Sequence, residues 1–216
     1  MEKILILVMS SEIPLIQKRR ETVLNTYYNF ICKYDNIDLI FYSDGEDLSK
    51  HTIKVNADYE YHYRDNEIKQ VNIFNVIKEK YYEKYDWFFF VDTDTFINVP
   101  LLNNIIDSFD KEYIYGKSLK GCYGDLDYVS GGAGYLLSKN VVFKLFNIKN
   151  YNTGYADVTL GLNARDNNIQ IKDDNRFDSS NPWRDGINPL IENIKNTLTY
   201  HYLDSNNMFK LYDIIK

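Results

Sequence analysis

Two hydrophobic patterns alternate along the first hundred residues of the chain. Continuous apolar runs at residues 3–9, 37–42 and 87–91 are typical of strands buried on both faces of a sheet. Between them, apolar residues recur at three- and four-residue spacing, which predicts helices over residues 18–33 and 67–85. This alternation predicts an α/β protein with a mainly parallel sheet in the middle of three layers.

The second half of the chain carries shorter patterns. They predict a helix from Pro100 to residue 106, a strand at 113–115, amphipathic or helical segments at 139–146 and 157–164, and a strand at 197–203. Residues 172–186 are polar and include Pro182, so we predict a loop there. Because no repeat or linker divides the chain, we expect one domain over residues 1–216.

Two aspartates, Asp92 and Asp94, follow directly on the apolar run WFFFV. Burial next to a strand disfavours an unpaired carboxylate, so two such groups suggest a bound divalent cation. The alternative is a turn in which the Asp and Thr side chains accept or donate hydrogen bonds to nearby backbone groups. In a parallel α/β sheet, ligands bind at the carboxyl ends of the strands, where Asp44 also falls.

Composition excludes several classes of protein. The 216 residues carry a net charge of -6 with a pI near 5.1, which argues against a broad nucleic-acid or anionic-membrane surface. No apolar stretch approaches the ~20 residues that a membrane span requires, and the N-terminus does not resemble a secretory signal. The two cysteines, Cys32 and Cys122, form no disulfide framework. We therefore expect a soluble, cytoplasmic protein, either of bacterial or viral origin or a trimmed domain.

Two common nucleotide-binding motifs are absent from the sequence. No GxGxxG follows the first predicted strand, and GxxxxGK[ST] does not occur. A nucleotide would therefore be held in another way.

Six segments, in order, resemble the fringe and core 1 β-1,3-galactosyltransferase group of inverting glycosyltransferases, which have the GT-A fold. They are RRETVLNTY and LIFYSD at 19–27 and 39–44, WFFFVDTDTF at 87–96, YIYGK at 113–117, YVSGGAGYLLS at 128–138, DVTLG at 157–161, and TYHYLDSNNMF at 199–209. Two positions depart from that pattern. Thr93 replaces the middle aspartate of the usual DDD, and Ala156 replaces the acidic residue that usually precedes Asp157.

The resemblance implies a metal-dependent transfer of a hexose or N-acetylhexosamine from a UDP-sugar to a hydroxyl group of a glycan or glycoprotein, with a β-1,3 linkage. It implies that Asp94 and His201 bind Mn²⁺ or Mg²⁺, with Asp92 contacting the metal or the ribose through water. It also implies a nucleotide-binding half at residues 1–95 and a half at 96–216 that completes the metal and acceptor sites. Without the resemblance, a lone histidine such as His201 would more often be structural.

The resemblance assigns Asp157 as the base that takes the proton from the attacking hydroxyl. The alternative is a helix N-cap. Gly131, Gly132 and Ala133 are expected to bring backbone N–H groups close to the donor sugar, or simply to form a tight turn.

Other residues are expected to contact the substrates. Ser43, Asp44 and Thr93 are assigned to the donor, and Arg19 to the base or phosphates, with a solvated charge as the alternative for Arg19. Trp183 is a candidate for stacking on an acceptor sugar.

Two other functions fit part of the sequence. The DxDxT string also occurs in haloacid-dehalogenase phosphatases, in which the first aspartate is the nucleophile and a downstream acidic pair, here Asp173 and Asp174, assists. A non-catalytic relative that binds a sugar nucleotide or glycan is the third possibility, suggested by Ala156.

Overall fold

The computed structural model describes residues 1–45, 51–55, 62–121, 124–186 and 188–216. Its strands are β1 (Ile4–Met9), β2 (Ile37–Ser43), β3 (Thr52–Lys54), β4 (Trp87–Asp92), β5 (Phe96–Ile97), β6 (Tyr113–Gly116), β7 (Ser118–Gly121), β8 (Gly124–Val129), β9 (Tyr135–Ser138), β10 (Gln170–Asp173) and β11 (Thr199–Tyr200). Its α-helices are α1 (Pro14–Asn25), α2 (Tyr28–Ile31), α3 (His62–Val76), α4 (Val99–Ile105), α5 (Lys139–Lys144), α6 (Ala156–Asp166), α7 (Ile191–Asn196) and α8 (Ser205–Ile215). A π-helical turn at Ile77–Tyr81 extends α3, and 3₁₀ turns lie at Ile106–Ser108 and Arg184–Gly186.

Seven strands form the central sheet, in the order β10-β6-β9-β4-β1-β2-β3. The strands β4, β1, β2 and β3 run parallel to one another, and β10 runs parallel to β6. Only β9 is antiparallel to its neighbours, β4 and β6. The α/β class and the mainly parallel sheet are therefore confirmed.

Alternate residues of the buried strands pack on opposite faces of the sheet. In β1, Ile4, Ile6 and Val8 join the hydrophobic cluster that includes residues of α1, α4 and α8. Leu5 and Leu7 join the second cluster, formed with α3, α5 and α6. Because both faces are covered, these strands read as continuous apolar runs, which is why the sequence predicted them.

Three predicted elements differ from the structure. The helix expected over 18–33 begins earlier, at Pro14, and is interrupted after Asn25, so that α1 and α2 are separate. The loop expected over 172–186 is wrong at its start, because β10 extends to Asp173. This strand lies at the edge of the sheet and is largely exposed. Its sequence is therefore polar and lacks the apolar pattern that predicts a strand. The strand expected over 197–203 is only two residues long.

None of the helices in the described ranges combines the length and apolar character that a membrane crossing requires. Cys32 is exposed and carries a free thiol. Cys122 lies outside the described residues.

Candidate active site

Two strand pairings bring distant segments to the carboxyl end of β4. Because β9 is antiparallel to β4 with Tyr135 opposite Phe90, the residues before β9 meet the residues after Phe90. The short strand β11 pairs with β5, with Tyr200 opposite Phe96. His201 therefore stands beside the segment that links β4 to β5.

Asp92, Asp94 and His201 form one group in which a ligand atom from each residue lies within 4.8 Å of the others. The imidazole Nε2 of His201 is 3.3 Å from Oδ1 of Asp94. The backbone fixes this approach, since the N–H of Leu203 donates to the carbonyl of Asp94 at 3.1 Å. Asp94 and His201 are both buried.

The electrostatics keep Asp94 ionised. Burial acts to raise the pKa of Asp94, but the hydrogen bond and charge of His201 and the charge of Arg19 outweigh it and lower that pKa. Arg19 contributes through an ion pair of 3.2 Å with Oδ2. Asp94 is therefore a ready anionic ligand.

The pKa of Asp92 is shifted in the opposite direction. Burial, together with repulsion from Asp94 and Asp157, raises the pKa of Asp92 to about 6, although His201 and Lys69 act against the rise. Three carboxylates close together without sufficient positive charge favour a bound cation.

The donor set fits a hard divalent cation. Two carboxylates and an imidazole suit Mn²⁺ or Mg²⁺. Ligands on adjacent corners of an octahedron with bonds of about 2.1 Å stand roughly 3 Å apart, and the 3.3 Å separation of Asp94 and His201 is close to this. In addition, Nδ1 of His201 is buried and has no hydrogen-bond partner within the described ranges, so the protein alone does not satisfy the imidazole.

Asp157 lies in the first turn of α6 and points to the loop before β9. Its Oδ2 accepts a hydrogen bond from Gly131 N–H at 3.2 Å, and its Oδ1 accepts one from Val158 N–H at 2.9 Å. Burial raises the pKa of Asp157, and these backbone bonds only partly offset the rise. The N-cap position belongs to Tyr155, so the interpretation of Asp157 as the cap is wrong.

The loop at residues 131–134 is a tight turn, closed by a hydrogen bond of 3.0 Å from Gly134 N–H to Gly131 carbonyl. Gly134 has φ of +81°, and a Cβ there would lie 2.8 Å from Cγ1 of Val91. A Cβ on Gly132 would lie 1.9 Å from Cε1 of His201. Glycine at these positions is therefore required by backbone conformation and by the proximity of the imidazole.

Two neighbouring cavities open on this group. The larger, of about 600 Å³, is lined by Arg19, Asp44, Thr93, Asp94 and His201, among others. The smaller, of about 250 Å³, is lined by Gly131, Gly132, Tyr155, Asp157 and Tyr202, among others. Asp92 lines both cavities and so stands at their junction.

The residues assigned to the donor have different positions. Arg19 faces Asp94, so the alternative of a merely solvated charge is wrong. Asp44 lies 3.6 Å from the buried Lys69. The hydroxyl of Ser43 accepts from Gly45 N–H at 3.1 Å. Ala133 is fully buried, and its carbonyl accepts from Thr199 Oγ1 at 2.6 Å. Ser43 and Ala133 therefore both make hydrogen bonds to other groups of the protein.

Trp183 packs against the hydrophobic core and lines neither of the two cavities. The ammonium group of Lys210 lies 4.0 Å from the centre of its ring. These contacts account for Trp183 without a substrate.

Sequence reasoning missed Glu67. This carboxylate is 1% exposed and accepts hydrogen bonds from Tyr151 N–H (2.9 Å), Gly154 N–H (2.8 Å) and Thr159 Oγ1 (2.5 Å). It therefore anchors the loop that leads to Asp157. No local pattern marks a glutamate on an amphipathic helix as buried.

Solved structures with this fold include three glycosyltransferases. One is involved in the glycosylation of the major capsid of PBCV-1 (TM-score 0.55, 13% identity, covering 95% of this chain and 98% of that chain). The second is GlyE of Streptococcus pneumoniae (TM-score 0.54, 10% identity, 100% and 60%). The third is the catalytic domain of Drosophila β-1,4-galactosyltransferase 7 in complex with xylobiose (TM-score 0.50, 14% identity, 95% and 73%). At these identities the likeness shows the fold alone, and that fold is the GT-A fold of glycosyltransferases.

A family model described as Fringe-like matches residues 2–213, so the chain belongs to the Fringe-like family. A further similarity is to glycoprotein-N-acetylgalactosamine 3-beta-galactosyltransferase 1 of Xenopus laevis, at 30% identity over 93 residues. The matched part is 42% of this chain and 25% of that relative, so the chain spans about a quarter of the relative's length.

Proposed function

We propose that this protein is a metal-dependent inverting glycosyltransferase that uses a UDP-sugar and transfers its hexose or N-acetylhexosamine to a hydroxyl group. The observation that carries the proposal is the group of Asp92, Asp94 and His201 on the wall of the larger cavity, with Asp157 in the smaller cavity that Asp92 also lines. Membership of the Fringe-like family supports it. The name of the Xenopus relative, a 3-beta-galactosyltransferase, supports a β-1,3 linkage.

The larger cavity is suited to the nucleotide. A volume of about 600 Å³ lies within the range of small-molecule sites and exceeds that of its neighbour. Asp44 offers acceptor oxygens at one part of the wall, and Arg19 offers a cation beside Asp94. In this proposal, residues 1–95 form the nucleotide-binding half, and residues 96–216 complete the metal and acceptor sites.

Asp94 and His201 would hold Mn²⁺ or Mg²⁺, with Asp92 next to it. When bound, such a cation stabilises the charge that develops on a departing diphosphate. Arg19 adds a fixed positive charge on the same side, while the buried position of Asp94 strengthens these interactions by excluding water.

Asp157 is suited to accept the proton of the attacking hydroxyl. Its raised pKa makes it a stronger base than an ordinary aspartate, and the N–H of Gly131 fixes its orientation. The metal group and Asp157 share the smaller cavity through Asp92. In this proposal the UDP part of the donor lies in the larger cavity, and the attacking hydroxyl approaches Asp157 through the smaller one.

A phosphatase of the haloacid-dehalogenase type is not supported. Asp173, at the end of β10, is three strands away from β4 in the sheet, which is about 14 Å at the usual strand spacing. Asp174 is paired with Arg176. The acidic pair therefore does not reach Asp92 and Asp94, whereas His201 does.

The test is release of UDP from a panel of UDP-hexoses and UDP-N-acetylhexosamines with Mn²⁺, with and without sugar acceptors. Asp94→Ala and His201→Ala should abolish turnover, and Asp157→Asn should reduce kcat by roughly 10² or more. Asp35→Asn, which changes an exposed carboxylate, is the control. UDP binding without turnover on any donor would indicate a non-catalytic relative, and release of phosphate from a simple phosphate ester would indicate a phosphatase.

A further inference from the structure

Three aromatic rings from two separate elements meet on the surface of the protein. Tyr82 follows the π-helical turn, whereas Phe143 lies in α5 and Phe146 just after it. The ring centres are 4.7 Å apart for Tyr82 and Phe146, 5.4 Å for Phe143 and Phe146, and 6.3 Å for Tyr82 and Phe143. Phe143 is 61% exposed, although its neighbours Val142 and Leu145 are buried. We refer to Tyr82, Phe143 and Phe146 as the aromatic cluster.

Lysine side chains lie against the aromatic cluster. Nζ of Lys78 is 5.2 Å from the centre of the Phe146 ring, and Nζ of Lys139 is 4.6 Å from that of Tyr82. Lys144 follows Phe143 in α5 and is exposed. An ammonium group over a ring is attracted by its electrons, so the rings and the lysines form one surface.

The net charge of this surface is opposite in sign to that of the whole chain. Residues 78–85 and 139–146 together hold five lysines and two glutamates, a net charge of +3. Glu112, which is paired with Lys144 at 2.6 Å, reduces the balance to +2. The whole chain carries -6. A negatively charged surface would therefore attract this face of the molecule and repel the rest.

The aromatic cluster lies at the end of the sheet opposite to the candidate site. Tyr82 precedes β4 by five residues, and Lys139 N–H, at the start of α5, donates to the carbonyl of Asp86 at 2.7 Å, just before β4. Asp92, the last residue of β4, is about 17 Å from the first at the usual rise per residue. Neither cavity is lined by a residue of the cluster. A surface bound there would leave both cavities open.

The size and chemistry of the cluster fit a lipid bilayer better than another protein. A stable protein interface takes roughly 800 Å² from each partner, whereas an aromatic side chain offers about 150–250 Å² and only Phe143 of these three is mostly exposed. Aromatic rings at the boundary between headgroups and acyl chains, with lysines reaching anionic headgroups, are typical of proteins that bind a membrane surface reversibly.

We propose that the aromatic cluster and its lysines bind the surface of a bilayer that contains anionic lipids, with the candidate site turned toward the solution. This inference is independent of the proposed function, because it concerns residues outside both cavities and binding to vesicles requires no turnover.

The experiment is sedimentation of the full chain with vesicles of phosphatidylcholine, with and without about 30% phosphatidylserine. The wild type should bind the phosphatidylserine vesicles roughly 10-fold more tightly than the neutral ones, and salt should weaken this binding. Phe143→Ala should weaken it roughly 5-fold, and the double variant Lys78→Ala/Lys144→Ala should weaken it roughly 10-fold or more. Phe143→Trp should retain it, with a blue shift of fluorescence on the vesicles.

The matched controls change exposed residues elsewhere. Phe209→Ala, on α8, and Lys195→Ala, on α7, should bind as the wild type does. Thermal denaturation checks that each variant folds.

Three results would overturn the inference: no binding of the wild type to vesicles, equal binding to both kinds of vesicle, or equal effects of Phe143→Ala and Phe209→Ala. A dimer that Phe143→Ala dissociates, in a protein that does not bind vesicles, would also overturn it and assign this face to a second copy of the chain. Sedimentation velocity without vesicles measures that dimer.

Discussion

The imidazole of His201 occupies the place where any residue other than glycine at position 132 would carry its side chain. A Cβ on Gly132 would lie 1.9 Å from Cε1 of the ring. We therefore expect Gly132→Ala to displace His201 from Asp94 and to weaken Mn²⁺ binding by roughly 10- to 100-fold, as loss of a well-positioned ligand does. Isothermal titration calorimetry with Mn²⁺ measures this.

Gly131→Ala is the matched control for that variant. A Cβ at Gly131 would lie 3.3 Å from Cβ of Asp157, and no atom of His201 is among its three nearest contacts. It should reduce turnover while leaving Mn²⁺ affinity close to that of the wild type. Equal Mn²⁺ affinities for the two variants would show that His201 is not a ligand.

Arg19 and a bound metal ion would both contact Asp94, so removing Arg19 should affect Mn²⁺ binding and UDP binding in different ways. The guanidinium is 3.2 Å from Oδ2 of Asp94. Without it, the carboxylate is more available to a cation, so Arg19→Ala should keep or increase Mn²⁺ affinity. The same variant should weaken UDP binding by roughly 10-fold, because a charge next to the phosphates is lost. Lys18→Ala, an exposed neighbour on α1, should change neither, and weaker Mn²⁺ binding in Arg19→Ala would contradict the assignment.

The raised pKa of Asp157 predicts how stability depends on pH. The folded protein holds this proton to higher pH than the unfolded chain, whose value is about 3.9. Between the two pKa values the folded state binds more protons, so this group's contribution to the free energy of unfolding falls as pH rises through the folded pKa. Asp157→Asn removes that dependence.

Relative to the wild type, Asp157→Asn should therefore gain stability as pH rises above about 4, until the folded carboxyl is ionised. Urea unfolding in the presence of EDTA measures this difference without bound metal. Asp35→Asn, at an exposed position, should show no such gain. A constant difference between Asp157→Asn and the wild type at all pH values would mean that burial does not penalise this carboxylate.

Replacing Glu67 should destabilise the protein, although Glu67 lines neither of the two cavities. Glu67→Ala removes the acceptor of the buried Thr159 Oγ1 and of the part-buried N–H groups of Tyr151 and Gly154. At about 1–3 kcal/mol for a buried unsatisfied group, and less for a part-buried one, the free energy of unfolding should fall by about 2 kcal/mol or more. Turnover should also fall, because Asp157 follows the anchored loop. Glu79→Ala, an exposed glutamate near the end of the same helical segment, should cost little in urea unfolding.

Local patterns predicted the parts of the fold in which one face or both faces of an element meet the core. The apolar runs of β1, β2 and β4 are clear in the sequence because helices pack on both faces of the sheet. The edge strand β10 has no such requirement, and the loop predicted over 172–186 includes its last two residues, Lys172 and Asp173. The two-residue strands β5 and β11 are too short for any periodicity, although their pairing places His201.

The residues of the candidate site also fall into two groups, those that the sequence pattern predicts and those that it does not. Asp92 and Asp94 are conspicuous in the sequence because two carboxylates at the end of a buried strand demand compensation. A residue whose role depends on a distant partner leaves no such sign: Glu67 meets the N–H groups of Tyr151 and Gly154 and the hydroxyl of Thr159 only in the folded chain. Trp183, chosen from its place in a polar segment, proved to contact the core and Lys210.

The sequence by itself determined the class of fold and placed Asp92 and Asp94 at the carboxyl end of a buried strand, since burial and charge act on neighbouring residues. Only the tertiary structure decided that His201 stands 3.3 Å from Asp94, that Arg19 faces the same carboxylate, and that Asp157 bonds to the turn at Gly131. The positions of His201 and of the turn at Gly131 depend on the antiparallel pairings of β11 with β5 and of β9 with β4, and that of Arg19 on the parallel pairing of β1 with β4. Strand pairing joins residues far apart in the chain, so local propensity does not encode it.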